Sequence, residues 1–298
     1  MLVFSILRKT ISVLLAAILM IGVRSPRAVY TVTDEDTCLT NFTVISDVHM
    51  EGNNKTSRDA FIRELYDIRS NAFGNDALVL LGDNTMNGQH IENMFLFGLL
   101  DRIDPADRLL LTLGNHDTGN GEGRYDLLVN RYYSYYNTFC GLDVQRPYYS
   151  DQVNGYDFIF LGSEEDDINS PVISDAQLLW LDDQLAEATA DGEPVFVFAH
   201  HPYENFEDPS ALLDVLTDYD NIFFFTGHTH RYDILQENLS DGVHYFNLPR
   251  VTELNEDGET FDVTGQGLNV EIYEDQIVIR ERNFFTGEWM DSYEFPLV

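Results

Sequence analysis

The run 109–113 is apolar apart from one threonine and stops abruptly at Gly114, Asn115, His116 and Asp117. A short apolar run bounded by a turn signal reads as a buried strand. Three polar side chains at its exit lie where open α/β sheets bind ligands. The same arrangement recurs four more times. The run 42–46 leads into Asp47 and His49, and 78–81 leads into Gly82, Asp83 and Asn84. The run 195–199 leads into His200, His201 and Pro202, and 222–226 leads into Gly227, His228, Thr229 and His230. Five strands therefore each deliver metal-ligating residue types at their ends.

Between the runs, helical patterns alternate with strands. Ser57 is read as the cap of a helix with Phe61, Leu65 and Ile68 on one face. Residues 89–101 read as a helix, weakened by Gly98. Ser174 and Gln177 form a capping-box start for a helix with Leu178, Leu181 and Leu185 inward. Asp208 and Pro209 open another, with Leu212 and Leu216 inward. This alternation argues for a layered α/β fold with parallel strand pairs. Residues 118–150 break the pattern: Gly119, Gly121 and Gly123 make a flexible loop, followed by tyrosine-dense stretches at 131–137 and 147–149. Tyrosine suits either a pocket wall or packing against a sheet. After His230 the helical patterns stop, and 243–248, 267–273, 276–282 and 284–295 read as strands.

The N-terminal segment 1–28 is set apart. Arg8 and Lys9 precede the uncharged stretch 11–23, too short for a typical spanning helix and suited to a signal-peptide core. Ala28 is a candidate cleavage position that Pro26 makes a poor one. The alternative is an uncleaved anchor; on either reading the domain is extracytoplasmic. Residues 29–40 read as an acidic linker and 41–298 as one domain. Cys38 and Cys140 stand in no metal-ligand spacing. A disulfide between them would close a loop of about 100 residues, worth about 4–5 kcal/mol; two separate thiols are the alternative. Asn41, Asn54 and Asn238 begin chance matches to the N-glycosylation pattern. The net charge of −34 disfavours a nucleic-acid polymer or an anionic membrane as partner. Any membrane association is expected through the N-terminal segment alone.

Of the eight histidines, only His90 and His244 lie outside the five strand-end motifs. Buried polar groups at such density need a counter-ion or a complete hydrogen-bond network. A metal centre answers this economically. Imidazole and carboxylate without thiolate fit Zn, Fe, Mn, Co or Ni.

Together, Asp47-x-His49, Gly82-Asp83, Gly114-Asn-His-Asp117, the His200-His201-Pro202 run and Gly227-His-Thr-His230 resemble the five motifs of the calcineurin-like metallophosphoesterases, in order and approximate spacing. The resemblance spans residues 42–230. It implies an α/β fold of four layers, an αββα sandwich with two mixed β-sheets. It implies two divalent or trivalent transition-metal ions, one held by Asp47, His49 and His230, the other by Asn115, His200 and His228, with Asp83 bridging. His116 would lie over the substrate phosphate as a catalytic group, and Asp117 is expected to orient it. A metal-bridging hydroxide would attack phosphorus in line. His201, next to a ligand, is expected to point the other way on its strand, leaving a substrate contact or a structural role open. Purple acid phosphatases carry a tyrosine three positions after the bridging aspartate, where this chain has Met86. The protein-phosphatase pattern Asp-Arg-Gly is replaced by Met86-Asn-Gly88. The implied substrate is a small phosphorylated molecule. Hydrolysis of a cyclic nucleotide or glycerophosphodiester is the alternative, and a non-catalytic binding protein on the same fold is a third reading.

Overall fold

The computed structural model describes residues 2–21, 38–70, 74–166, 168–231, 234–251 and 265–297. In chain order the first half contains α1 (Leu2–Leu19), β1 (Thr40–Ile45), α2 (Lys55–Arg69), β2 (Ala77–Leu81), α3 (His90–Ile103), β3 (Arg108–Thr112), the single turn α4 (Asn115–Thr118) and α5 (Tyr125–Cys140). Then follow β4 (Tyr149–Val153), β5 (Tyr156–Phe160), α6 (Asp175–Ala188), β6 (Val195–Phe198), α7 (Pro209–Thr217) and β7 (Ile222–Thr226). The chain ends in β8 (Leu235–Ser240), β9 (Val243–Asn247), β10 (Gln266–Ile272), β11 (Gln276–Asn283) and β12 (Glu288–Pro296).

The strands form two mixed six-stranded sheets, β12-β11-β10-β1-β2-β3 and β4-β5-β6-β7-β9-β8. β1, β2 and β3 are parallel, as are β5, β6, β7 and β9. Three apolar cores separate four layers. Ile45, Leu78, Leu80 and Leu111 pack beneath α2, α3 and α5. Phe42, Val44, Val79 and Leu110 face Phe158, Phe196 and Phe223 between the sheets. Val195, Val197, Ile222 and Phe224 pack under α6 and α7. Alternate residues of each central strand thus serve opposite cores, which is the period-two geometry of a strand buried on both faces. The expected four-layer αββα sandwich is the fold observed.

On the inner face of the second sheet, Tyr149, Phe160, Phe198, Phe225 and Phe246 stack across five strands. Their successive centroids are 4.5, 4.9, 5.4 and 5.3 Å apart. Each pair is in direct register. The rings lie just before the strand exits and give them a rigid apolar floor.

Several expectations are corrected. The cap of α2 is Asn54, whose side chain accepts from Ser57 N at 3.0 Å; Ser57 itself lies buried inside the first turn. The tyrosine-dense stretch is helical. Tyr132, Tyr133, Tyr135 and Tyr136 of α5 are buried with Phe97 of α3, so packing, not a pocket wall, is their role. Aromatic residues have middling helix propensity, and tyrosines at adjacent positions hide the helical period. β4 and β8 also lie where no strand is read from sequence. Cys38 and Cys140 are free thiols, so the disulfide alternative does not hold. The Asn41 side chain is buried, which suits a chance sequence match.

α1 lies along α3 and α5. A Cβ on Gly98 would meet Ser12 O at 2.4 Å, so the absent side chain lets the two helices touch. Lys9 pairs with Asp101 at 2.6 Å, and the Arg8 guanidinium sits 4.4 Å over the Tyr135 ring. No described helix is long and apolar enough to cross a membrane. Ala28 and residues 29–37 of the linker lie outside the described residues.

Candidate metal centre

All five motifs converge at the C-terminal ends of the central strands. Asp47, His49, Asp83, His228 and His230 occupy left-handed backbone, with φ of 57°, 45°, 47°, 68° and 48°. That region is uncommon for residues with a Cβ and clusters at functional sites. Ladder-like bonds between exits hold it: His49 N donates to Asp83 O at 2.7 Å and Gly227 N to His200 O at 2.8 Å. The exits touch because glycines stand where they meet. A Cβ on Gly114 would stand 2.1 Å from Asp83 Oδ1, and one on Gly227 would stand 1.8 Å from Ser46 Oγ.

The donor atoms form two groups. In the first, ligand atoms of Asp47, His49, Asp83 and His230 lie within 4.8 Å of one another. Two imidazole nitrogens, His49 Nε2 and His230 Nε2, face each other at 3.1 Å, and His230 Nε2 is also 3.1 Å from Asp47 Oδ1. In the second, Asn115 Oδ1 lies 3.2 Å from His200 Nε2 and 3.1 Å from His228 Nδ1, which is 3.3 Å from His200 Nε2. Asp83 Oδ2 stands between the groups, 3.5 Å from His49 Nε2 and 3.3 Å from His200 Nε2.

These residues fit a metal. His200 Nδ1–H donates to Leu81 O at 2.7 Å, so its Nε2 presents a lone pair to a metal once that nitrogen's proton is displaced. His228 Nε2–H donates to Asn169 Oδ1 at 3.2 Å, so its Nδ1 presents a lone pair. With Asn115 Oδ1, three acceptors converge, an arrangement that a cation stabilises. Ligands held at about 2.0–2.2 Å from one ion stand roughly 3.0–3.5 Å apart, which is the spacing seen. Each carboxylate divides its oxygens. Asp47 Oδ2 accepts from Ser46 Oγ at 2.5 Å and His228 N at 2.9 Å, and Asp83 Oδ1 accepts from His116 N at 2.9 Å. The other oxygen of each faces the clusters.

The electrostatics agree. Burial raises the Asp47 pKa, but His200, His230 and His49 outweigh it and hold the carboxyl well below its usual range. Burial lowers His200, yet Asp83 and Asp47 hold it up to about 9, so this pocket stabilises positive charge. Burial and the His200 charge push His228 down to about 4.

His116 is half-buried beside this centre. Its ring lies edge-on to His49 at 4.7 Å, and its Nδ1–H donates to Met86 O at 2.8 Å. Asp117 does not orient it. The Asp117 carboxylate is buried on the other side of the turn and accepts from Gly114 N, Asn84 N, Asn84 Nδ2, Thr85 N and Thr85 Oγ1. It clamps the loops after β2 and β3 together. Burial and Asp83 push it up to about 6, against the pull of those donors. His201 also departs from expectation. β6 ends at Phe198, so alternation has ceased, and the His201 ring lies 4.8 Å from His200 and 4.3 Å from His228. Its Nε2–H donates to Ile168 O at 3.2 Å. Asn120 and Asn169, which bond to Asn115 and His228, were not legible in the sequence because they sit in loops without a strand-end signature.

A four-layer sandwich with histidine, carboxylate and amide oxygen at its strand exits defines a metal-binding phosphoesterase class. The model of the calcineurin-like phosphoesterases matches residues 40–232, and the chain belongs to that family. No curated protein matches it in sequence. Among solved structures it resembles a purple acid phosphatase from yellow lupin seeds, with a TM-score of 0.63 and 12% identity over 90% of this chain. It spans 55% of the length of that enzyme. It also resembles GAP50, the anchor in the inner membrane complex of Plasmodium, with a TM-score of 0.51, 13% identity, and coverage of 87% of this chain and 89% of that one.

Proposed function

We propose that this protein is an exported phosphoesterase that uses two transition-metal ions to hydrolyse a phosphate ester of a small molecule. The observation that carries the two-ion reading is the position of Asp83 Oδ2 between both donor groups. Asp47, His49 and His230 would hold one ion, and Asn115, His200 and His228 the other, with Asp83 shared. When bound, such a pair lowers the pKa of a shared water and clamps phosphate oxygens. The chain's own residues do the rest. His116 keeps Nδ1–H on Met86 O and so presents Nε2 to the substrate side, where a proton held there can pass to the leaving oxygen. Asn115 offers a neutral oxygen, which limits negative charge facing an anionic substrate. Arg250 lies close enough to His49 to lower its pKa, and its buried Nε has no hydrogen-bond partner among the described residues. A guanidinium N–H without an acceptor at this position supports an anionic substrate.

The test is to purify the protein, measure bound metal, and compare p-nitrophenyl phosphate, its bis ester and cyclic AMP. Metal-dependent turnover with the monoester preferred supports the reading. Preference for a diester moves the assignment to the phosphodiesterase alternative, and metal binding without turnover moves it to a binding protein.

Export is supported by Arg8 and Lys9 ahead of an uncharged stretch, and by the outward face of α1. Ile6, Leu14, Ile18 and Ile21 are 58%, 61%, 63% and 77% exposed, whereas Ser12 and Ala16 face the domain. Bulky apolar residues outside and small ones inside suit a segment made for a membrane or its translocation machinery. Mass spectrometry of the mature N-terminus separates cleavage from anchoring; an intact cytoplasmic protein overturns export.

A further inference from the structure

Each side chain of the second donor group turns one polar atom inward and has its other polar atom held from behind. His200 is held by a strand, through Leu81 O. The other two are held by loops. Asn115 Nδ2–H donates to Asn120 Oδ1 at 2.9 Å, which leaves Asn115 Oδ1 facing in. His228 Nε2–H donates to Asn169 Oδ1, which leaves Nδ1 facing in. Asn120 lies in the glycine-rich turn after α4, in left-handed backbone at φ 54°. Asn169 lies between β5 and α6. One carboxylate joins these two loops: Asp166 Oδ1 accepts from Gly121 N at 2.8 Å, and Oδ2 accepts from Arg124 N at 3.0 Å. A Cβ on Gly119 would stand 2.8 Å from Asp166 Oδ2, so the contact also needs that glycine.

We propose that Asn120 and Asn169 are positioning residues for the second ion, and that Asp166 straps their loops into one support. The inference rests on the two-ion reading above. An amide oxygen accepts and does not donate. Asn169 Oδ1 therefore selects the His228 tautomer with its proton on Nε2 and its lone pair on Nδ1. Asn120 Oδ1 in the same way selects the amide orientation of Asn115 that turns its oxygen inward. Partners of this kind set the orientation and basicity of metal ligands, and losing one typically costs about 10–100-fold in metal affinity. Among the described residues no loop side chain stands behind the first donor group, whose His230 meets only His49 and Asp47. Asp47, His49 and Asp83 are at most 2% exposed and are fixed by bonds between strand exits. The two sites thus differ in construction: one is built from strand ends, the other is completed by two loops.

The test uses the full chain, stripped with a chelator and titrated with Mn²⁺ by calorimetry, with bound Mn counted by mass spectrometry. Asn120→Leu and Asn169→Leu each weaken the second Mn²⁺ by about 10–100-fold and leave the first as in the parent. Asn169→Asp, which keeps an acceptor oxygen, restores the second affinity to within a few-fold. Asp166→Ala reproduces the selective loss with both asparagines intact. Unchanged second-ion affinity in both leucine variants overturns the inference, as does equal loss of both ions. A parent protein that binds fewer than two Mn²⁺ overturns the two-ion reading itself, and this inference with it.

Discussion

His116 and Asp117 are adjacent, share a motif, and act on opposite sides of one turn. His116 reaches the centre and is steered by the Met86 carbonyl; Asp117 faces the interior and gathers donors from the loops after β2 and β3. Their variants should separate accordingly. His116→Ala lowers kcat by about 10²–10⁴-fold with metal content unchanged. The loss is larger for alkyl phosphates than for p-nitrophenyl phosphate, whose leaving group departs without a proton. Equal losses on both, or loss of one ion, count against His116 as the acid. Asp117→Ala instead leaves four buried donors without their acceptor, Asn84 Nδ2 keeping Thr112 O and Tyr132 Oη. Leaving a buried donor unsatisfied costs about 1–3 kcal/mol, read as a lower denaturant midpoint. An unchanged midpoint refutes the clamp. The motif made both residues visible, but it could not divide their labour, because a one-turn helix sends neighbours to different faces.

At the scale of elements, local chemistry was readable where a side chain acts on its own backbone. Ser174 caps α6, accepting from Gln177 N, and Asp208 caps α7, accepting from Ala211 N, as their residue types suggest. Asn54 outcompeted Ser57 because the chain reaches helical geometry three residues earlier than the apolar face suggests. Contacts between elements were less readable. Gly114 is one case: nothing in its neighbours announces that Asp83 lies 2.1 Å from where its Cβ would be. Gly114→Ala is therefore expected to displace Asp83 and abolish binding of both ions by calorimetry, while circular dichroism stays native. Retention of two ions would show that the loops can give. Gly98 is another, since its Cβ would meet α1 and not its own helix. Gly98→Leu should release α1 while metal content holds, seen as faster hydrogen exchange confined to residues 2–21.

For the whole molecule, charge and burial set the response to solution conditions. A net charge of −34 makes the compact state repel itself. Raising salt from about 0.01 M to about 1 M should raise the Tm of the metal-free protein; a flat profile argues that the acidic groups are already screened or paired. The pH response follows from the histidines. Burial pushes His49 down and His201 well down, and His228 falls to about 4. In the unfolded chain these groups titrate near 6.5, so below that pH the unfolded state binds more protons. Their contribution is full above pH 6.5 and is lost as pH falls toward 4. His200, held up to about 9, acts oppositely, its contribution being full below 6.5 and lost as pH rises through 9. Between pH 6.5 and 4 His200 is protonated in both states and adds no slope, while Asp117, held up to about 6, and Glu64, raised by burial, oppose the loss. With His90 and His244 also lowered by burial, five imidazoles against two carboxyls predict that the chelated protein loses stability between about pH 6.5 and 4, measured by denaturant titration. Rising stability over that range overturns the assignment of neutral buried imidazoles.

The sequence by itself determined the layers and the donors. Apolar runs of strand length bury themselves whatever surrounds them, and their exits carry the polar groups, so periodicity and residue type sufficed for β1, β2, β3, β6 and β7 and for the seven side chains that converge at their exits. The tertiary structure alone decided which atom of each side chain faces the centre. That choice depends on what stands behind it: Leu81 O behind His200, Asn120 behind Asn115, Asn169 behind His228, Met86 O behind His116. Apart from the Asn115–Asn120 bond, these partners lie 30 or more positions away in the chain. No local pattern encodes a contact whose closure depends on two sheets packing face to face.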